Sequence, residues 1–284
     1  MITDVTKQMQ ETLIASAITD ILINAASETP SAKVLLALPQ GSQRYSSGMG
    51  KAKPIQPTAC QLSSYSQGPD QRSKVYNGVR SSLKTFTDRS GPGVVLLVYS
   101  VILTRGIDKI REDMDMPDCS LVNEHGYASQ ELLNIMLVGK AASNVHDGSK
   151  DLGGGFILKG IHKQSDVGFL TLFEHYEAMV VGSNLKKPRV PIWIICSESH
   201  YSIMFSTDYS ILTKASSQRK FDLMYYDELA RQEDDIILTV EPGKQVAKAS
   251  GKNKAGNMVI PLEAVIRTKW PKSLVCWNGR TQIL

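Results

Sequence analysis

The stretch PIWIICSESHYSIMFS, residues 191–206, decides the fold because it consists of two strand-like apolar runs joined by a polar turn. Side chains alternate between the two faces of a β-strand. In the second run Tyr201 and Ile203 therefore share one face, whereas His200 and Ser202 share the other, more polar face. The pattern predicts a β-hairpin that carries His200 at its mouth.

His200 is the candidate general base, because an imidazole changes its protonation state near neutral pH. A surface histidine, or one hydrogen-bonded in the core, would fit the same pattern, so this alternative stays open. The remaining histidines are weaker candidates: His125, His146, His162 and His175. The chain contains no HExxH motif and no pair of histidines at metal-ligand spacing, so we expect neither a metal nor a cofactor.

An orienting acid for the imidazole could come from the segment FDLMYYDELA, residues 221–230. Asp222 lies within this strand-like run and Asp227 lies at its end. Either carboxylate could hold the ring of His200 from a neighbouring strand. An aspartate at the end of a strand is, however, often only a turn residue. Both remain weak candidates.

No cysteine in the sequence has the setting of an activated nucleophile, which is typically the N-terminus of a helix next to a histidine. Cys196 and Cys276 lie in apolar runs, Cys119 follows a Met-Pro-Asp turn, and Cys60 lies in a polar segment. The serine motif GxSxG is also absent. The four dispersed cysteines contain no CxxC pair, which favours an intracellular compartment. We expect the cytoplasm and leave the nucleus open.

The rest of the chain is organised as helices first and strands second, which predicts an α+β fold in one domain over residues 1–284. Helical periodicity begins at residues 4–24, a buried strand follows at 31–41, and residues 41–74 read as a long flexible loop or insertion. A further helix is expected in YASQELLNIMLVGKAAS. In GPGVVLLVYSVILTRG the pattern fits a strand and a helix about equally, and Pro92 near its start and its length favour a helix. After DLGGGF the strand-like runs are FILKGI, FLTLFEHY, VPIWIIC, HYSIMFS, FDLMYY, IILTV, VIRTKW and LVCWNG.

Composition excludes few classes of protein. An apolar fraction of 42% in 284 residues can fill a substantial core, and no uninterrupted apolar window reaches the length of a membrane span. The net charge of +4 is mild, and its lysines and arginines are dispersed. We therefore expect neither a nucleic-acid partner nor a membrane partner. The three tryptophans are interpreted as core residues, with Trp270 and Trp277 as alternative lining of a channel.

Several long segments resemble the catalytic domain of the MINDY deubiquitinases. They are HGYASQELLNIMLVGKAASNV, GFLTLFEHYEAMVVGSNLKKPRVPIWIICSESHYSIMF, FDLMYYDELA and PLEAVIRTKWPKSLVCWNG. The resemblance covers most of the chain from about residue 90 onward. It implies a papain-like cysteine peptidase fold with N-terminal helices and a mainly antiparallel sheet. The histidine of the family's Ser-Glu-Ser-His segment, the general base, corresponds to His200.

The resemblance also implies an activity and a missing part. Family members are thiol proteases that cleave isopeptide bonds in polyubiquitin, with a preference for chains linked through lysine forty-eight. Their nucleophile is the cysteine of a Gly-Gly-Pro-Cys-Gly segment, which this chain lacks. We therefore expect a deubiquitinase domain that is incomplete at its N-terminus, with the nucleophile upstream of Met1 and with little activity in the 284 residues alone. The alternative is an inactive ubiquitin-binding or scaffolding remnant; a papain-like enzyme acting on another substrate ranks third.

Overall fold

The computed structural model describes residues 6–29, 31–40, 60–89, 91–198, 200–213, 219–229, 232, 234–244 and 260–281. Contacts between residues divide the chain into two compact units, Met1–Ser143 and Asn144–Leu284. Each unit has its own cluster of buried apolar side chains. The single domain expected over residues 1–284 stays a prediction.

The first unit is mainly helical in its described part. Its elements are α1 (Lys7–Ala26), β1 (Val34–Pro39), β2 (Cys60–Tyr65), α2 (Gln71–Ser81), α3 (Leu83–Thr87), α4 (Gly93–Arg105), α5 (Ile107–Asp113) and α6 (Gln130–Val138). The helices expected at residues 4–24, in the GPGVV segment and in the YASQE segment are confirmed as α1, α4 and α6. None of the helices that the structure describes combines the length and the apolar content needed to cross a bilayer.

Strand β1 is stabilised along both of its edges. One edge pairs with β2 in antiparallel register. Along the other edge, the backbone N–H groups of Leu35 and Ala37 donate to the hydroxyls of Thr104 and Ser100 on α4, at 2.9 and 2.8 Å. These side chains therefore satisfy backbone groups that an unpaired edge would leave without partners.

The loop expected over residues 41–74 is wrong for its second part. Residues 60–65 form β2 and residues 71–74 begin α2, whereas residues 41–59 lie outside the described residues. The polar composition of CQLSSY suggested a loop, but this strand gains its backbone hydrogen bonds from β1. Pairing with a buried strand overrides the weak strand propensity of its side chains.

The second unit is built around a six-stranded sheet. Its elements are β3 (Ser149–Asp151), β4 (Ile157–Lys159), β5 (Gly168–Thr171), α7 (Leu172–His175), α8 (Ser183–Lys186), β6 (Ile192–Ser197), β7 (His200–Phe205), a 3-10 turn (Tyr209–Leu212), β8 (Phe221–Tyr226), β9 (Ile236–Glu241), α9 (Pro261–Lys269) and β10 (Leu274–Cys276). The strand order is β10-β9-β8-β7-β6-β5, and only the β5–β6 pair is parallel. The α+β class, with helices first and a mainly antiparallel sheet second, is confirmed.

One of the expected strands is wrong, and another is shorter than expected. The run VIRTKW lies in α9, because Leu262, Val265 and Ile266 have helical spacing and all face the core. Pro261 is suited to the first turn of this helix. In FLTLFEHY the strand ends at Thr171, whose hydroxyl accepts a hydrogen bond from the N–H of Phe173 at 3.2 Å and caps α7.

The core of the second unit confirms the interpretation of the tryptophans as buried anchors. Trp193, Trp270 and Trp277 all belong to one buried apolar cluster. The indole N–H of Trp193 donates to the carbonyl of Lys186 at 3.1 Å, and that of Trp277 donates to Glu263 at 2.9 Å. The indole donors of Trp193 and Trp277 thus have partners in the core, as stability requires.

Lys269 is an unusual cation in this core. Burial, and then the nearby Lys187 and Lys186, lower the pKa of its ammonium group to about 7. Its Nζ lies 5.0 and 4.9 Å from the ring centroids of Trp193 and Trp270 and donates to the carbonyl of Lys186 at 2.5 Å. The ring contacts favour the charged form. They offset part of the desolvation, which nevertheless dominates and keeps the pKa low.

We therefore expect Lys269 to make stability depend on pH. Because its pKa is about 7 in the folded state and 10.5 in the unfolded state, the unfolded chain binds the extra proton between these values. The free energy of unfolding should then increase as the pH rises from about 7 toward 10.5. Urea unfolding followed by tryptophan fluorescence at pH 7 and pH 9.5 should show a smaller increase in Lys269→Met. An identical increase in both proteins would contradict this expectation.

Candidate active site

The hairpin expected from the sequence is present and places His200 at its mouth. β6 and β7 pair in a register that sets Ser197 opposite His200, so two residues connect the strands. The first of them, Glu198, has a φ of 57°, in the left-handed region that tight hairpin turns use. His200 thus begins β7.

The more polar face of β7 points into the unit. Ser202 and Met204, which share this face with His200, are buried, whereas Tyr201 and Ile203 on the other face are exposed. Burial of a serine beside the histidine indicates that polar groups meet beneath the hairpin mouth.

Asp227 is the acid that meets His200. Its Oδ2 lies 2.8 Å from Nε2 of the imidazole, and the two side chains are 6% and 35% exposed. Asp222, the other predicted partner, instead accepts a hydrogen bond from the hydroxyl of Thr239 at 2.7 Å. The structure therefore brings together His200 and Asp227, and it places Asp222 in a different contact.

This contact determines which nitrogen of His200 can exchange protons. A carboxylate only accepts hydrogen bonds, so the neutral imidazole must carry its proton on Nε2, where it faces Asp227. Nδ1 is then the basic nitrogen, and among the described residues it has no hydrogen-bond partner. The ring is thus oriented by one nitrogen and available for proton transfer at the other.

Tyr225 and Ser202 extend the polar group, and sequence reasoning missed both. Both are buried, and burial, together with the nearby negative charge of Asp227, raises the pKa of the Tyr225 hydroxyl. The signal was available in the sequence, because the alternation that places His200 with Ser202 also places Tyr225 with Asp227.

Gln232 fixes the segment that follows β8. Its side-chain carbonyl accepts from the N–H of Asp227 at 3.2 Å, and its amide donates to the carbonyls of Tyr225 and Asp234 at 3.0 and 2.9 Å. The N–H of Leu229 also donates to Oδ1 of Asp227 at 3.0 Å. These bonds hold the carboxylate at one place beside the imidazole.

A cleft of about 480 Å³ opens beside this group. Its lining combines the polar side chains with an apolar wall. The residues are Leu172, Tyr176, Ile195, Ser197, Glu198, His200, Ser202, Tyr225, Asp227, Leu229, Pro261 and Leu262. A concave surface with a few convergent polar groups is typical of a ligand site.

None of the described residues that line this cleft is a cysteine. Cys196 is buried, its thiol donates to the carbonyl of Glu198 at 3.3 Å, and burial raises its pKa. Its partner in the register is Tyr201, on the face of the sheet opposite to His200. A buried thiol with a raised pKa is a poor nucleophile. Cys276 is exposed on β10, three strands away from β7 in the sheet.

No metal site is evident in the part of the chain that the structure describes, which contains no group of three or more histidine, cysteine or acidic side chains able to hold an ion. The other histidines do not line the cleft. His162 lies 3.2 Å from the hydroxyl of Ser149, and His146 is buried with its Nδ1 3.3 Å from a backbone carbonyl. The candidate chemistry therefore rests on His200 and Asp227 alone.

A histidine oriented by a buried carboxylate at the edge of a cleft is an arrangement of hydrolases and transferases that use a nucleophile. Residues 1–279 match the family model described as deubiquitinating enzyme MINDY-3/4, conserved domain. The chain belongs to this family of deubiquitinating enzymes, as the resemblance predicted.

Curated relatives agree with this assignment. The chain is 40% identical over 277 residues to the probable ubiquitin carboxyl-terminal hydrolase MINDY-4 of Mus musculus, which covers 95% of this chain and 35% of that protein. It is 46% identical over 199 residues to the Homo sapiens protein of the same name, and this match covers 68% of this chain and 26% of that protein. It is 42% identical over 132 residues to the ubiquitin carboxyl-terminal hydrolase MINDY-3 of Xenopus tropicalis, and this match covers 46% of this chain and 30% of that protein.

The chain thus spans about a quarter to a third of the length of these relatives. No solved structure matches it significantly.

Proposed function

We propose that this chain is the histidine-bearing part of a thiol-dependent deubiquitinase with a papain-like arrangement of its catalytic groups. The observation that carries the proposal is the 2.8 Å contact between Nε2 of His200 and Asp227, which leaves Nδ1 as the free base. Membership of the MINDY-3/4 family supplies the substrate class, ubiquitin joined through an isopeptide bond. As in the family resemblance, polyubiquitin linked through lysine forty-eight is the proposed substrate and the cell interior the proposed compartment.

The proposed reaction uses His200 twice. Nδ1 first takes the proton of a cysteine thiol, and the thiolate attacks the carbonyl carbon of the C-terminal glycine of ubiquitin. As the C–N bond breaks, the imidazolium gives its proton to the departing lysine amine, and a thioester remains. Water then attacks the thioester while Nδ1 takes a proton from it, which releases ubiquitin and restores the thiol after proton return. Asp227 stabilises the imidazolium in both steps.

We further propose that the sulfur comes from a segment outside these 284 residues. The support is the cleft, whose lining includes His200 but no cysteine. The same observation favours the second candidate function, an inactive ubiquitin-binding remnant of the same fold. The two differ in whether a cysteine reaches the cleft.

A ubiquitin whose C-terminus carries a thiol-reactive electrophile tests the proposal. We expect a chain extended upstream of Met1 to form a covalent adduct, and the same chain with His200→Ala to form none. The 284-residue chain should remain unlabelled, and intact-mass measurement distinguishes these cases. Labelling of Cys60 or Cys196 in the 284-residue chain would overturn the proposal, and an extended chain that binds ubiquitin without an adduct would favour the remnant.

A further inference from the structure

The acid that meets His200 lies just beyond the part of the sheet that holds β8 in place. The pairing of β8 with β7 ends at Tyr226, and its pairing with β9 ends at Tyr225. Asp227 is therefore the first residue after β8 that neither pairing includes. Its carboxylate nevertheless lies 2.8 Å from the imidazole, so contacts outside the sheet must position it.

The side chain of Gln232 occupies the place where the ladder between β8 and β9 would continue. In that ladder Tyr225 is opposite Ile236. The same register, extended by two residues, would set Asp227 opposite Asp234, and their backbone N–H and carbonyl groups would then pair directly. Instead, the side-chain oxygen of Gln232 accepts from the N–H of Asp227 at 3.2 Å. Its amide nitrogen donates to the carbonyl of Asp234 at 2.9 Å, so one amide separates the two backbones.

We propose that Gln232 is a positioning residue, whose amide acts as a spacer that holds the end of β8 away from β9 and thereby holds Asp227 against His200. This inference rests on the proposed function of His200 as a proton carrier. β8 lies between β9 and β7, so a spacer on the β9 side moves the end of β8 toward β7, which begins with His200. The amide nitrogen also donates to the carbonyl of Tyr225 at 3.0 Å, which fixes the orientation of the amide because only its nitrogen can donate.

Both oxygens of the carboxylate depend on this placement. Oδ2 contacts Nε2 of His200, and Oδ1 accepts from the N–H of Leu229 at 3.0 Å. The side chain of Asp227 is only 6% exposed, so water cannot readily replace a contact that a displacement would break. The backbone position of Asp227 thus decides whether its carboxylate reaches the imidazole, and hydrogen bonds from Gln232 hold that backbone.

Loss of the amide should change the chemistry more than substrate binding, since Gln232 does not line the cleft. In Gln232→Ala the end of β8 can pair directly with β9, which draws Asp227 away from His200. In the active, upstream-extended enzyme acting on diubiquitin, kcat should fall about tenfold at nearly constant KM. Gln232→Met keeps the length of the side chain without its hydrogen bonds, and it should have the same effect.

Gln164 offers a matched control in the same unit. Its amide nitrogen also donates to a backbone carbonyl, that of Lys187, at 2.6 Å, and it does not line the cleft. Gln164→Ala should therefore leave both kcat and KM unchanged. A tenfold loss of kcat in this control would show that the loss of any such glutamine impairs the reaction, which would overturn the specific role of Gln232.

A second measurement needs no turnover. In the 284-residue chain, the proton on Nε2 of His200 can be observed by NMR through its bonded nitrogen. Gln232→Ala and Gln232→Met should move this resonance upfield and speed its exchange with water, because the hydrogen bond to Asp227 weakens. Gln164→Ala should do neither. Native tryptophan emission shows that each variant keeps the core of this unit.

The outcomes separate the two proposals. If Gln232→Ala leaves the resonance unchanged, the positioning role is wrong even if kcat falls, because the glutamine then only stabilises the fold. If Gln232→Met retains the wild-type resonance, the bulk of the side chain and not its amide holds Asp227, and the inference is wrong as well. If the extended wild-type enzyme cleaves no ubiquitin while the resonance shifts as expected, the spacer is confirmed and the proposed function fails.

A double variant tests whether the glutamine acts through the acid. In an Asp227→Asn background the contact that Gln232 maintains is already impaired. Gln232→Ala should therefore cause little further loss of kcat there. A full tenfold loss in this background would overturn the inference, because Gln232 would then act on the reaction by another route.

Discussion

Replacing His200 with alanine is expected to lower the rate of isopeptide cleavage by about 10³-fold in the upstream-extended enzyme. The magnitude follows from the two roles of the ring, which activates the thiol and protonates the leaving amine. An unassisted lysine amine is a poor leaving group, so loss of the proton donor affects the step that breaks the C–N bond. Single-turnover cleavage of diubiquitin linked through lysine forty-eight, resolved on a gel, measures this rate.

The variant must be distinguished from one that has lost its fold. All three tryptophans of the chain lie in the unit that contains His200, so their emission reports whether its core is intact. His162→Ala is the matched control, since this histidine belongs to the same unit and does not line the cleft. A His200→Ala protein with native emission and more than a tenth of wild-type activity would show that another group carries the proton.

Local periodicity was sufficient to predict the position of the candidate base. A period of two in HYSIMFS, together with a polar turn before it, gave both the hairpin and the residues that share a face with His200. The register of β6 and β7 agrees with this prediction residue by residue. Contacts between strands are harder to predict. Asp222 and Asp227 lie in the same short run, so the sequence does not show which of them contacts His200. Only the pairing of β7 with β8 decides that the end of the run, and not its start, reaches the imidazole.

The buried face of the first helix could not be predicted reliably, because apolar side chains in a short window fit more than one helical face. Met9, Leu13 and Leu22 all fit the helical periodicity expected over residues 4–24, yet Met9 and Leu13 are 53% and 62% exposed whereas Leu22 is buried. At about 100° per residue, Leu13 lies on the side of the helix opposite to Leu22, and the buried stripe runs instead through Ala15 and Ile18.

Beyond single elements, the sequence could not predict which side chains meet across the fold. Tyr225 reads as an ordinary strand aromatic until it is seen to line the same cleft as Asp227 and Ser202. Gln232, in a polar segment, has no periodic signal at all, although its amide fixes the backbone around Asp227. Such roles depend on register and on loop conformation, which are set by contacts distant in sequence.

Arg105→Met is expected to destabilise the first unit by about 3–5 kcal/mol. The guanidinium of Arg105 has no exposed side-chain surface, and Asp113 is only 10% exposed. Their contact is bidentate, with Nε and Nη2 of the arginine 2.8 and 2.7 Å from the two carboxylate oxygens. Removing the arginine leaves a nearly buried carboxylate that still accepts a hydrogen bond from the N–H of Ala141 at 3.2 Å but has lost its counter-charge. Native-state hydrogen exchange of the α4 and α6 amides should then be faster by at least about 10²-fold.

The position of the pair explains why the effect should spread through the unit. Nη1 of Arg105 also donates to the carbonyl of Ser27, the C-cap residue of α1, at 2.8 Å. Arg105 and Asp113 are themselves the last residues of α4 and α5, and Ala141 follows α6. One ion pair therefore joins the ends of four helices, so its loss should lower the protection of amides in all of them.

An exposed ion pair provides the control for the buried one, because it shows how much stability is lost when an arginine is removed from a solvated pair. Arg72 and Asp20 also form an ion pair, at 2.6 Å, but their side chains are 56% and 48% exposed. Because water solvates both partners, Arg72→Met should cost less than about 1 kcal/mol. The double variant Arg105→Met with Asp113→Leu removes the unpaired charge and should therefore be more stable than Arg105→Met alone. If the second substitution instead destabilises the protein further, the main penalty arises from lost packing around Arg105 and not from a buried carboxylate without its counter-charge.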